Sequence, residues 1–164
     1  MKLLISKSIP VFMISPLLSL YFIIEDIYNH KKAGYIMLAF FISILSYFYI
    51  PSENGDKSYY FNVYNYLSTI SYAEGLSYIR LRMEDFTLYY LILVFSQLGI
   101  SFSLLSGLIT GTTVSVLFYI FYQSVAEKKV SKLMILFLFI SLLASVSLPP
   151  FFSGLRFYFA LSFV

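Results

Sequence analysis

Four stretches of this chain carry no Asp, Glu, Lys, Arg or His: residues 8–24, 33–52, 86–126 and 133–155. A helix rises about 1.5 Å per residue and needs roughly 20 apolar residues to cross the hydrocarbon core of a bilayer. Stretches of that length in so short a chain leave too few polar side chains to wrap a water-soluble globule. Composition agrees, with 60% of residues hydrophobic and 12% charged, against roughly 25% charged in a soluble domain. The fold expected is all-α, a polytopic α-helical integral membrane protein forming one transmembrane domain over residues 1–164.

The same composition removes several classes of chemistry. There is no cysteine, so no disulfide, thiolate metal site or cysteine nucleophile exists. His30 is the only histidine, which rules out a histidine cluster. No Gly-rich phosphate loop, metal-ligand spacing or nucleophile–His pair is found, so neither metal nor cofactor is expected. The formal charge of +3 is small and bears on membrane orientation rather than on nucleic acid, which is not an expected partner. Tyr47, Tyr49, Tyr59, Tyr60, Tyr119 and Tyr122 lie near segment ends, where amphipathic rings suit the interfacial belt. Enrichment of Phe, Ile and Tyr by an AT-rich gene would give the same count.

The first span is read at about 8–24, after Lys2 and Lys7. A signal peptide begins in the same way. However, Leu18, Leu20, Tyr21 and Phe22 leave no small-x-small cleavage site, so the segment is read as retained, with kinks at Pro10 and Pro16. The second span covers about 33–50 and stops at Pro51. Residues 51–85 differ in kind. They hold Glu53, Asp56, Glu74, Glu84 and Asp85, open on the turn Pro51-Ser52-Glu53-Asn54-Gly55, and place Tyr60, Tyr64 and Leu67 at helical spacing. That pattern predicts an external loop followed by an interfacial helix. Gln97-Leu98-Gly99-Ile100-Ser101 divides the next apolar stretch into 86–98, a short re-entrant or interfacial helix, and a span at 101–123. A further span at 133–148 ends at Pro149-Pro150. Another starts at 156–164 and is still apolar at Val164, so a truncated chain is expected.

Positive charge argues the orientation. The turns at 25–32 and 124–132 hold Lys31, Lys32, Lys128, Lys129 and Lys132 and are placed in the cytoplasm. Residues 51–85 and Arg156 then lie outside, provided 86–98 does not cross. Lys2 and Lys7 pull the other way.

Asp56 sits after a turn just past the end of a span. A carboxylate held partly desolvated there has a raised pKa and suits general-base work; an Asp in that place equally caps the next helix. Arg156 is the one charge in residues 133–164. Its planar fork suits a phosphate, and a snorkelling arginine at the interface would look the same. Arg80, Arg82, Glu84 and Asp85 form a charged knot that reads either as a binding group or as a solvated helix end. Gly107 and Gly111 form a G-x-x-x-G that allows close helix approach.

Three groups of residues, in order, resemble the EpsG-like family of exopolysaccharide and O-antigen (Wzy-type) polymerases. Tyr49-Ile50-Pro51, then Gly55-Asp56, then Tyr59-Tyr60 is similar to that family's external P…D…YY motif. Met83-Glu84-Asp85-Phe86 leading to Tyr90-Leu91 and Leu98-Gly99-Ile100-Ser101 is similar to its acidic-aromatic segment before a short helix. Gly154-Leu155-Arg156-Phe157 with Ala160 is similar to its R…A helix start after a proline. One departure is that Gly55 is adjacent to Asp56, where many members place the glycine two residues before the acid; another is length, since members have many more spans.

The resemblance implies a GT-C-like glycosyltransferase fold in the bacterial cytoplasmic (inner or plasma) membrane. It implies a substrate carried on undecaprenyl diphosphate, a lipid-linked oligosaccharide, with membrane lipids and polysaccharide-assembly proteins as partners. The activity would be transfer of a growing glycan onto a new repeat unit at the outer face. Asp56 would orient or deprotonate the acceptor hydroxyl and Arg156 would bind the diphosphate, as cationic clamps do. Tyr59 and Tyr60 would line the sugar or lipid path, and Arg80, Arg82 and Glu84 are further substrate-binding candidates. A lipid-linked oligosaccharide flippase or transporter, and a non-enzymatic membrane subunit, are the competing readings. The expected spans hold almost no ionisable residue, which weighs against ion-coupled transport.

Overall fold

A computed structural model of the chain describes residues 7–49, 56–82, 86–126 and 130–145. Those residues are all-helical. They form α1 (Ser8–Ile14), α2 (Pro16–Tyr28), α3 (Lys32–Phe48), α4 (Asp56–Thr69), α5 (Tyr72–Arg82), α6 (Phe86–Gln97), α7 (Phe102–Ala126) and α8 (Lys132–Ser145). Among them, Phe102–Val125 is the one helix long and apolar enough to cross a membrane. Lys32–Phe48, Phe86–Gln97 and Lys132–Leu143 are apolar but shorter.

The breaks between helices have local causes. Where one span is expected at 8–24, the chain forms two helices parted at Ser15, whose backbone is extended (φ −151°, ψ 104°). A residue before proline is pushed into that region, and Pro16 then opens α2 at a position where its missing N–H costs nothing. The Ser15 hydroxyl accepts from the Leu18 N–H at 3.4 Å. Pro16 therefore divides two helices rather than bending one, and Pro10 lies in the first turn of α1, where it causes no kink. Residues 56–82 likewise form two helices rather than one. Ser71 and Glu74 make a reciprocal capping box at the start of α5: the Ser71 N–H donates to Glu74 Oε2 at 3.0 Å and the Glu74 N–H to Ser71 Oγ at 3.4 Å, satisfying two donors at once. Between α6 and α7, Gly99 takes a left-handed backbone (φ +67°). The Ile100 N–H then reaches back to the Phe95 carbonyl at 3.0 Å, a helix stop that glycine makes without strain.

The described residues fall into two compact units, one drawn from 7–42 and 111–145 and the other from 43–110. In the first, Tyr35 is buried among Phe118, Phe121, Tyr122 and Phe139, with ring centroids 5.5 to 6.5 Å away. Such tilted and edge-on pairs add to the burial of large apolar area. In the second, Tyr60, Val63 and Leu67 of α4 pack with Ile79 of α5, with Leu88, Tyr89, Ile92 and Leu93 of α6 and with Phe102 and Leu105 of α7.

Candidate functional site

The second unit contains a buried polar centre. The C-terminal part of α3 and the N-terminal part of α7 approach closely because α7 carries Gly107, where a Cβ would sit 3.2 Å from the Ser43 carbonyl oxygen and 3.4 Å from the Tyr47 Cβ. Small residues let two helix backbones come this near. Polar groups use the proximity: the Ser43 hydroxyl donates to the Gly107 carbonyl at 2.7 Å, and Ser46 Oγ lies 3.0 Å from Ser106 Oγ and 2.9 Å from Thr110 Oγ1. Ser46, Ser106 and Thr110 are all buried.

Lys57 enters this centre from the first turn of α4. Its side chain is 1% exposed, and its ammonium donates to the Ser46 carbonyl at 2.7 Å and the Tyr49 carbonyl at 3.1 Å. The Tyr49 ring lies 5.2 Å from the same nitrogen, within cation–π range. The last carbonyls of a helix lack intrahelical partners and carry the negative end of its dipole, so a cation at the end of α3 is well placed. Burial nevertheless disfavours the charge, and it pushes the Lys57 pKa down from 10.5 to about 8.

At its far end α4 is held from α6. The Gln97 amide donates to the Leu67 and Ile70 carbonyls at 2.8 and 2.9 Å, and the Tyr64 hydroxyl donates to the Ile100 carbonyl at 2.6 Å.

Asp56 is the first residue of α4; its side chain lies outside the described residues. Tyr59 is exposed, with 52% of its surface free. Its neighbour Tyr60 faces the other way, 5% exposed, its ring 5.8 Å from that of Tyr89 in the core. Of the tyrosine pair, only Tyr59 therefore presents its ring at the surface. Arg80 is exposed on α5 and Arg82 ends that helix. The Arg82 side chain, Glu84 and Arg156 fall outside the described residues.

Sequence reasoning passes over Lys57, although a signal is present. The face picked out by Tyr60, Tyr64 and Leu67 runs back by one turn to Lys57, so helical spacing alone puts the lysine on the buried side of α4.

The first unit holds a different cluster. His30 has a left-handed backbone (φ +52°), stacks on Tyr122 with centroids 4.5 Å apart, and sets Nδ1 3.3 Å from the Tyr35 hydroxyl. Burial lowers its pKa. Lys31 bonds Asp26 at 2.8 Å, and that contact raises the lysine pKa. A cavity of about 40 Å³ beside Tyr35, lined also by Lys32, Ser115, Tyr119 and Tyr122, is large enough for water but not for a sugar. Among the described residues no group of three His, Asp or Glu could hold a metal.

No protein-family model, no curated protein and no solved structure matches the chain.

Proposed function

We propose that this chain serves in a membrane-embedded polysaccharide polymerase of the kind its motifs resemble, joining lipid-linked repeat units at the outer face of the bacterial cytoplasmic membrane. The observation that carries the reading is the junction of α3 and α4. An apolar helix ends at Phe48, Asp56 opens the next helix, and Tyr59 is exposed within the same turn. A carboxylate and an aromatic ring are thus borne by one helical turn beside the end of an apolar helix, which suits an acceptor hydroxyl and a sugar face. Asp56 orients or deprotonates the acceptor, Arg156 binds the diphosphate and its leaving charge, and Tyr59 lines the sugar path.

Several observations support a bilayer setting and its orientation. α8 is apolar all round: Ile135 and Phe139 face inward while Leu133, Met134, Phe137 and Ile140 are exposed. A helix apolar on every face belongs in a core or in lipid. Leu17, Leu18 and Tyr21 of α2 are exposed as well. The two lysine-bearing turns, 25–32 and 124–132, come together where Lys132 bonds Asn29 at 2.8 Å, which fits one shared cytoplasmic side.

The test is glycan length in a deletion strain carrying Asp56→Asn or Arg156→Ala at normal protein level. Accumulation of single repeat units is expected. Unchanged glycan length would sink the assignment, and loss of all outward-facing repeat units would point instead to a flippase.

A further inference from the structure

The ammonium of Lys57 is buried. Its partners are two main-chain carbonyls at the end of α3, from Ser46 and Tyr49, and the Tyr49 ring. Behind the Ser46 carbonyl lie the mutually bonded hydroxyls of Ser46, Ser106 and Thr110. All of these groups are oxygen acceptors or a π face, and helix-end carbonyls next to side-chain hydroxyls are the ligand set with which membrane proteins hold monovalent cations. The lysine side chain enters that set from outside, on the first turn of a different helix.

We infer that the end of α3 is a primary-ammonium site whose occupant is supplied by the chain itself. Lys57 is the built-in cation. It donates to both carbonyls at once, and by doing so it sets where the first turn of α4 lies, with Asp56 and Tyr59 upon it. Lys57 fills the site whether or not the chain is a polymerase. The competing transport reading is affected, because a site already filled by a tethered ammonium leaves no place there for a coupling ion.

The test is chemical complementation of the full chain in detergent. Lys57→Ala removes three methylenes and the ammonium, which n-propylammonium replaces in shape and charge. Added n-propylammonium is expected to raise the melting temperature of Lys57→Ala along a saturating dose curve, by about 3 °C or more well above its Kd, and to leave the wild-type chain unchanged. Propanol, which brings a single O–H donor to two carbonyls, and tetramethylammonium, which lacks N–H donors, are expected to have no such effect. An unresponsive variant, or an equal response to the two controls, would overturn the inference. A measurement on the wild-type chain guards against a variant that does not fold. Reductive methylation is expected to label exposed Lys32 and Lys132 at least about tenfold faster than Lys57, because opening a buried group has a free-energy cost. Equal rates would overturn the inference as well.

Discussion

Lys132 donates its ammonium to Asn29 Oδ1 at 2.8 Å although 103 positions separate the two residues in sequence. The turn after α2 and the start of α8 therefore meet within one unit, and the lysine nitrogen also lies 5.7 Å from the Tyr28 ring. On the proposed membrane reading, two segments that touch in this way share one side of the bilayer. The chain has no cysteine, so single probes can be introduced cleanly. Lys31→Cys and Ser131→Cys are expected to react with a membrane-impermeant maleimide only after the cells are opened, and Ser58→Cys in intact cells. Reaction of Lys31→Cys and Ser131→Cys from opposite sides would contradict the contact.

Gly34 is tightly packed within the first unit. A Cβ there would lie 2.8 Å from the Ile27 backbone nitrogen, 2.9 Å from the Asp26 Cβ and 3.0 Å from the Ile23 carbonyl oxygen. None of these is the far end of a flexible side chain, so Gly34→Ala must move α2 and α3 apart. The expected loss is about 2–3 kcal/mol, at the upper end of the usual overpacking cost. Gly107→Ala meets its neighbours at 3.2 Å and beyond and is expected to lose about 1 kcal/mol. Melting temperatures of the two variants in one detergent check the order, and a milder effect at Gly34 would refute it.

The depressed pKa of Lys57 gives its titration a definite sign through linkage. The folded chain holds this proton less tightly (about 8) than an unfolded chain does (10.5), so between those values the unfolded state binds more protons. Stability therefore rises as the pH climbs through that window, by on the order of 3 kcal/mol at full effect. Neutralising the amine removes the cost of burying its charge, and the amine still offers N–H donors to the two carbonyls. Lys57→Met is expected to lose this alkaline gain, which denaturant unfolding of both chains at pH 7.5 and pH 10 would read as a difference of slopes. Parallel profiles would rule it out.

His30 gives the acidic counterpart. Its pKa is lowered by burial, with Tyr122 stacked on the ring and the Tyr35 hydroxyl at Nδ1. Protonation is harder in the folded chain, so the contribution of His30 is present at neutral pH and is lost as the pH falls below its ordinary value of 6.5. His30→Gln is expected to flatten the stability profile between pH 7 and pH 5. A profile identical to that of the wild-type chain would exclude the effect.

Helical class is readable from the charge-free stretches, and so is the stop at Gln97–Ser101, because Gly99 supplies a conformation that other residues resist. The division at Ser71 is readable in principle from Ser71-Tyr72-Ala73-Glu74, a capping-box spacing that a search for apolar periodicity overlooks. The break at Ser15 reads from sequence only as a bend, since a proline in a long apolar run signals disruption without saying how complete it is. Lys57 shares the helical face of Tyr60, Tyr64 and Leu67, but hydropathy counts a lysine as solvated, and the carbonyls of Ser46 and Tyr49 that receive its ammonium are brought within its reach only by the fold. Tyr59 and Tyr60 look like one unit in the sequence, but adjacent residues on a helix point about 100° apart, and here Tyr60 faces the core while Tyr59 does not.

The fastening of α4 at both ends limits how the second unit can move. Lys57 pins its first turn to the end of α3, and Gln97 grips the carbonyls of Leu67 and Ile70 at its last. A shift of α4 along its own axis by one helical turn, about 5.4 Å, would break both fastenings together. Small axial slips are the usual way in which packed helices pass between alternative registers. Here that mode carries the cost of both fastenings at once, which favours repositioning of the Tyr59 ring by side-chain rotation, and the helix serves as a fixed anvil rather than a sliding bolt.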